Sequence, residues 1–214
     1  IGIVMERVKL DRGLPAGRQG ARALVIVAHP DDETIWMGGT IARHKEVRWN
    51  IFVLCRKSDP DRMPKFKRVA KHYRARGLIC DLEDEGVMSI QKSIPAIQRI
   101  IRTELFSARG GWDVVFTHGA NGEYGHPRHK GVHRAVKEML KTGELKAKAA
   151  LFFAYRLDEK RKIAVPQENA AYGVELSGRE WRAKRDVIQE FYGFEAHSFE
   201  NRSCAPIETF RKHV

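Results

Sequence analysis

The chain has 214 residues, of which 43% are hydrophobic and 31% charged, with a formal net charge of +12. That length supports one domain with a substantial core and is short for two. The composition excludes a disordered or fibrous protein, and no apolar run is long enough to span a bilayer.

Residues 1–20 are expected to be a tail or loop, since Asp11 to Gly20 is rich in Gly and Pro. The domain proper is expected over 21–214. Ala23 to Val27 has the length and β-branched content of a buried strand, and Pro30 forces a turn after it. A helix is predicted from Thr34 through Lys45, then a buried strand over Trp49 to Cys55. Phe66 to Arg76 reads as a basic helix stopped by Gly77, followed by a short strand, Leu78 to Leu82. Ile94, Ile97, Ile100, Ile101 and Leu105 recur at helical spacing, predicting a helix to Phe106 with Ser93 as its cap and Arg109-Gly110-Gly111 as its end. Asp113 to Thr117 is the fourth strand. A helix starts at Pro127, where proline suits the first turn. Ala149 to Ala154 is the fifth strand, and Arg179 to Phe191 a last helix before a polar tail. Strands alternating with helices imply a mainly parallel sheet covered on both faces, a single Rossmann-like three-layer α/β domain.

Three scattered cysteines, Cys55, Cys80 and Cys204, form no Cys-x-x-Cys. They are not a disulfide framework, are expected as apolar fillers, and fit a reducing cytoplasm. No charged n-region followed by an apolar h-region opens the chain, so nothing argues for export. Gly-x-Ser-x-Gly and P-loop motifs are absent. The net charge admits nucleic-acid binding or attraction to an anionic substrate or membrane surface. However, Lys65, Lys67, Arg68, Lys71, Arg74 and Arg76 recur at helical spacing, as on the wet face of an amphipathic helix. A solvated surface explains them, and nucleic acid is not the expected partner.

The chemistry concentrates where two strands end. Ala28-His29-Pro30-Asp31-Asp32-Glu33 follows the first strand and delivers four polar groups to one rim of the sheet. Ligands of open α/β sheets bind outside the carboxyl ends of the strands. His29 and Asp32, three apart across the turn, can reach one divalent ion. Asp31 is then left beside it as a free carboxylate, suited to take a proton from metal-bound water. The bland alternative is that Asp31 or Asp32 only caps the next helix. The loop after the fourth strand supplies His126 and His129, three apart across a helix start, with His133 one turn beyond. For His133 a satisfied core or surface imidazole is expected. A catalytic zinc keeps three protein ligands and an open position, which His29, Asp32 and one later histidine provide. The other histidine is left to stabilise developing charge or protonate the leaving group.

His29-Pro30-Asp31-Asp32-Glu33 together with Gly125-His126-Pro127-Arg128-His129 resembles the paired motifs of the PIG-L/LmbE family of metal-dependent N-deacetylases. The resemblance runs in order from the first strand to Trp181-Arg182-Ala183-Lys184, which is similar to the family's late helix. It implies an LmbE-like fold with His29, Asp32 and His129 binding Zn2+, Fe2+ being the alternative. It further implies Asp31 as general base and His126 acting on the tetrahedral intermediate or the leaving amine. Tyr124 occupies a position where the family can carry a tyrosine that touches the substrate carbonyl, although a loop aromatic packed on the rim would look the same. The activity implied is zinc-dependent removal of acetyl from a small N-acetylglucosamine-type substrate. The alternatives are an amidase on thiol-conjugate or other acyl amides, and a non-catalytic, basic nucleic-acid-binding domain. Two departures stand out. Lys65-Phe66-Lys67-Arg68 stands where the family often has Arg-x-x-Glu, and His-Pro-Arg-His replaces the commoner His-Pro-Asp-His. Asp84 is read as a loop carboxylate rather than a sugar-hydroxyl acceptor.

Overall fold

A computed structural model describes residues 20–105 and 111–212 of the chain. The expected tail over 1–19, and the helix end at Phe106, Arg109 and Gly110, lie outside the described residues. Five parallel strands form the body of the sheet: β1 (Arg22–Val27), β2 (Arg48–Val53), β3 (Arg76–Ile79), β4 (Trp112–Thr117) and β5 (Ala147–Phe153). Their order is β3-β2-β1-β4-β5, so the chain reverses its direction of travel across the sheet between β1 and β4. This is the switch point at which open α/β sheets leave a crevice.

Alternation along each strand sends side chains to two faces, and both are buried. Ala23, Val25, Val27, Ile51, Val53, Val114 and Phe116 face one core with α1 (Asp32–Arg43) and α2 (Arg62–His72). Leu24, Ile26, Phe52 and Val115 face the other with α3 (Ile90–Leu105) and α4 (Pro127–Lys141). Double burial explains why the strands read as near-continuous apolar runs.

Several boundaries differ from the sequence expectation. The second helix ends at His72 instead of Arg76, and Gly77 lies inside β3. An added Cβ on Gly77 would lie 2.8 Å from Ala70 Cβ, so the glycine is there for close packing of strand on helix and not as a helix stop. Ser93 sits within α3, with its hydroxyl donating to the Ile90 carbonyl, and is not the cap. The predicted last helix is α5 (Gly178–Asp186), which passes into a π-helical turn, Val187–Phe191. The expected polar tail instead folds into α6 (Phe199–Ser203) and β9 (Ile207–Lys212). β9 pairs antiparallel with β5, and β8 (Tyr172–Glu175) pairs antiparallel with β9, extending the sheet to seven strands. A separate hairpin joins β6 (Tyr155–Asp158) to β7 (Ile163–Pro166). All three cysteines are buried and free. Among the described residues no helix is long and apolar enough to cross a membrane.

One buried carboxylate fastens β9 to the site side of the sheet. Helix α1 is kinked at Met37 (φ −152°, ψ 18°), which frees backbone donors in mid-helix. Glu208 on β9 accepts from the N–H groups of Gly39 (2.8 Å) and Thr40 (2.7 Å) and from the Thr40 hydroxyl (2.6 Å). Its charge is balanced by Lys184, 2.8 Å away and equally buried. Removing one partner of a buried ion pair strands the other. Glu208→Ala is therefore expected to lower stability by about 3–5 kcal/mol, read as a shift of the urea midpoint.

Candidate active site

The site lies in the crevice between the carboxyl ends of β1 and β4. After β1 the chain makes a tight turn. The His29 N–H donates to Asp32 Oδ2 at 2.8 Å, and the Asp32 N–H to the His29 carbonyl at 3.3 Å. Between them Asp31 takes φ 119°, ψ −31°, a region that L residues rarely occupy. It occupies the N-cap position of α1, yet its side chain makes no capping bond. Asp31 instead faces a cavity of about 410 Å³, also lined by His29, Asp32, Trp36, Tyr124 and His126.

After β4, the loop to α4 turns through residues with positive φ: Gly122 (67°), Glu123 (57°) and Gly125 (103°). This turns the Glu123 carboxylate inward, where it is fully buried. Its Oε2 lies 2.8 Å from His118 Nδ1 and 2.6 Å from His129 Nδ1, and its Oε1 accepts from the Gly119 N–H. A carboxylate can only accept, so both imidazoles donate from Nδ1 and leave Nε2 for another partner. For His118 that nitrogen accepts from the Ala28 N–H at 2.9 Å. His129 Nε2 instead points to the centre of the site.

Three side chains meet there. His29 Nδ1 lies 3.2 Å from His129 Nε2 and 3.3 Å from Asp32 Oδ2, and His129 Nε2 lies 3.4 Å from Asp32 Oδ1. A tetrahedral ion with bonds of about 2.0–2.1 Å separates neighbouring ligand atoms by roughly 3.3–3.4 Å. The spacing, and the borderline N/O donor set, therefore fit a divalent metal. Outer partners orient each of the three donors. Asp84 lies 3.0 Å from His29 Nε2, so Nε2–H donates and Nδ1 is left free for an ion. The Trp36 indole donates to Asp32 Oδ1 at 2.8 Å, and Glu123 holds His129.

The electrostatics agree with a cation site. Burial disfavours charge on His129, but the Asp32 and Glu123 carboxylates outweigh it and lift the imidazole to about 10. A field that retains a proton there equally favours a metal ion. Burial also opposes ionisation of Asp32, yet His129 and His118 hold its carboxyl well below the usual range. Asp31 goes the other way. Burial and the neighbouring Asp32 charge raise it, with Arg62 opposing. Burial, then the His129 and His29 charges, push His126 down to about 3. His126 Nδ1 accepts the Arg128 N–H at 3.2 Å, so its proton sits on Nε2. Tyr124 packs edge-on to His126 and His129, with ring centroids at 5.7 and 5.5 Å, and burial keeps its phenol protonated.

The fold thus gathers His29, Asp31, Asp32, Tyr124 and His126 around one cavity, with His129 buried directly behind His29 and Asp32. His133 lies outside it, its Nδ1 donating to the His118 carbonyl at 2.9 Å. Two sequence expectations need correction. Asp84 is not a bland loop carboxylate, because it holds His29 and accepts from Arg56 at 2.9 Å. The site also does not lack an arginine from its first long helix. Arg62, in the first turn of α2, donates to Asp31 Oδ2 at 3.1 Å, a position the sequence reading assigned to Lys65. Arg128 is buried and pairs with Glu83 at 3.1 Å, bracing the loop that carries Asp84. His118 and Glu123 were missed altogether. Their one signal was position, a histidine at a strand's carboxyl end and a carboxylate between two glycines.

Comparison with solved structures places the fold. The chain is similar to the N,N'-diacetylchitobiose deacetylase of Pyrococcus horikoshii, with a TM-score of 0.66 and 16% identity over 92% of this chain and 85% of that one. The A40926 pseudoaglycone deacetylase Dbv21 gives 0.61 and 13%, over 81% and 82% of the two chains. GalB, the 4-carboxy-2-hydroxymuconate hydratase of Pseudomonas putida KT2440, gives 0.62 and 15%, over 91% and 96%. Two chemistries on one backbone mean that these likenesses establish the fold alone. The family model described as PIG-L: GlcNAc-PI de-N-acetylase matches residues 24–140, more than half of the chain and the whole of the crevice built by β1, β4 and their loops. The chain belongs to the PIG-L family and is an enzyme of its hydrolytic N-deacetylase class.

Proposed function

We propose that the chain is a zinc-dependent deacetylase that removes acetyl from a small N-acetylglucosamine-type amide. The observation that carries this reading is the cluster of His29, Asp32 and His129, in which His29 Nδ1 and His129 Nε2 lie 3.2 Å apart and 3.3 and 3.4 Å from the two Asp32 oxygens in turn, beside the cavity that Asp31 and His126 line. The diacetylchitobiose substrate in the name of a structural neighbour supports the substrate class.

His29, Asp32 and His129 would hold the ion, with Zn2+ favoured by the donor set and Fe2+ as the alternative. Such an ion supplies Lewis acidity at the acyl oxygen and a water of lowered pKa. Asp31 accepts a proton from the attacking water, and its raised affinity for that proton suits a base that must keep it until the C–N bond breaks. Neutral His126 offers Nε2–H to the oxygen that gains charge as water adds to the carbonyl carbon. The proton held by Asp31 then passes to the departing nitrogen, and acetate and a free amine leave. Tyr124 lines the same cavity and adds a phenol as a second donor.

Asp31→Ala should lower acetate release from N-acetylglucosamine conjugates by about 10²–10⁴-fold while metal content, measured by elemental analysis, stays unchanged. His129→Ala, or dialysis against a chelator, should remove metal and activity together; turnover by metal-free protein would refute the reading. Glu123→Gln leaves the donors in place but weakens the hold on His129, so metal affinity should fall by about 10–100-fold in a competition titration with a chromophoric chelator.

A further inference from the structure

The family match ends at residue 140, yet a segment far beyond it reaches the strained residue at the heart of the site. Asp31 is held at φ 119° by more than its own turn. Its N–H donates to Glu33 Oε2 at 3.2 Å. Glu33 is fully buried, and its other oxygen accepts from the Thr34 hydroxyl (2.7 Å) and from the Tyr192 hydroxyl (2.7 Å). Tyr192 is itself buried and comes from 159 positions away.

Tyr192 arrives there because of an irregularity. The π-helical turn Val187–Phe191 follows α5 directly and ends at Tyr192, whose N–H bonds the Val187 carbonyl at 3.3 Å. A π turn holds one residue more than an α turn, which rotates everything after it by about 100°. Without the extra residue the phenol would leave the Glu33 side of the segment. The same stretch serves Asp31 a second time, since the Phe194 ring lies 4.7 Å beneath the Arg62 guanidinium that bonds the Asp31 carboxylate. Gly193, at φ 79°, allows the chain to turn between the two aromatics.

We infer that Tyr192 is a positioning residue for the base: through Glu33 it fixes the backbone of Asp31 in its unfavourable conformation and so aims the Asp31 carboxylate into the cavity. This rests on the deacetylase reading for its kinetic consequence but not for its structural one. Backbone strain of this kind persists only where surrounding contacts over-determine it. Misplacement of a reacting group by about 1 Å can cost on the order of 10²-fold in rate.

The test uses the full chain and Tyr192→Phe, which removes one hydroxyl and no apolar volume. Three quantities are measured: metal content, kcat and KM for acetate release from N,N'-diacetylchitobiose, and amide hydrogen exchange by NMR. The expected result is a kcat lowered at least about ten-fold, KM changed less than about two-fold and metal retained. Exchange at the Asp31 amide should be at least about ten-fold faster, with the Gly39 and Thr40 amides held by Glu208 unchanged as internal controls. Unchanged exchange at Asp31 overturns the inference, whether or not kcat falls, and so does an unchanged kcat in an active enzyme. If the unaltered chain releases no acetate from any N-acetylated amino sugar, the deacetylase reading fails by itself, and exchange at Asp31 still decides the role of Tyr192.

Discussion

A single hydrogen bond, from the Ala28 N–H to His118 Nε2 at 2.9 Å, spans the crevice on which the site depends. It joins the end of β1 to the end of β4 at the point where the sheet's connectivity reverses. His118 can accept there only because Glu123 holds the proton on its other nitrogen. The same carboxylate oxygen holds His129, whose ring stacks on His118 with centroids 3.9 Å apart. One buried glutamate thereby sets the tautomer of two histidines. It fixes one as a structural strut and leaves the other with its Nε2 facing Asp32 and His29.

So many buried charges would be costly if any were left unmatched. Asp32, Glu123, Glu33 and Glu208 are all almost wholly withdrawn from water. Each is met by several donors: a backbone amide and an indole for Asp32, two histidines and an amide for Glu123, a tyrosine and a threonine for Glu33, a lysine and a kinked helix for Glu208. Burial without partners would neutralise these groups, whereas networks of this kind keep them fixed in place. The two adjacent aspartates of the turn illustrate how neighbours divide labour. Asp32 faces histidines and is held ionised, while burial, and then its neighbour's charge, raise the proton affinity of Asp31 against the opposing Arg62.

The chain beyond residue 140 contributes support more than chemistry. β9 pins the kink of α1 through Glu208, and the π turn after α5 brings Tyr192 to Glu33 and Phe194 to Arg62. The three aromatics around the cavity mouth, Trp36, Tyr124 and Phe199, come from three separate elements, and Tyr124 and Phe199 pack at 4.6 Å. A rigid scaffold beneath a loop-built site is what reactions requiring accurate placement demand.

The sequence by itself determined the five parallel strands that form the body of the sheet and pointed to candidate ligands at their carboxyl ends. Apolar runs buried on both faces announce themselves, and His29, Asp31, Asp32, His126 and His129 stand in two short clusters at strand ends. Local spacing was enough there because each cluster folds as one turn. It was not enough for β8 and β9, whose polar residues read as tail, since their antiparallel pairing satisfies a sheet edge that only the assembled core creates. Nor could it find Glu123, Glu208, Arg62 or Tyr192. Each acts across a separation set by packing, from a loop, a distant strand, a first helical turn and a π turn, and nothing in their local pattern says which way they point. Which histidine nitrogen faces the site, and which aspartate is the stronger base, were decided by those neighbours. Protonation follows the surrounding field, and that field exists only once the tertiary structure has formed.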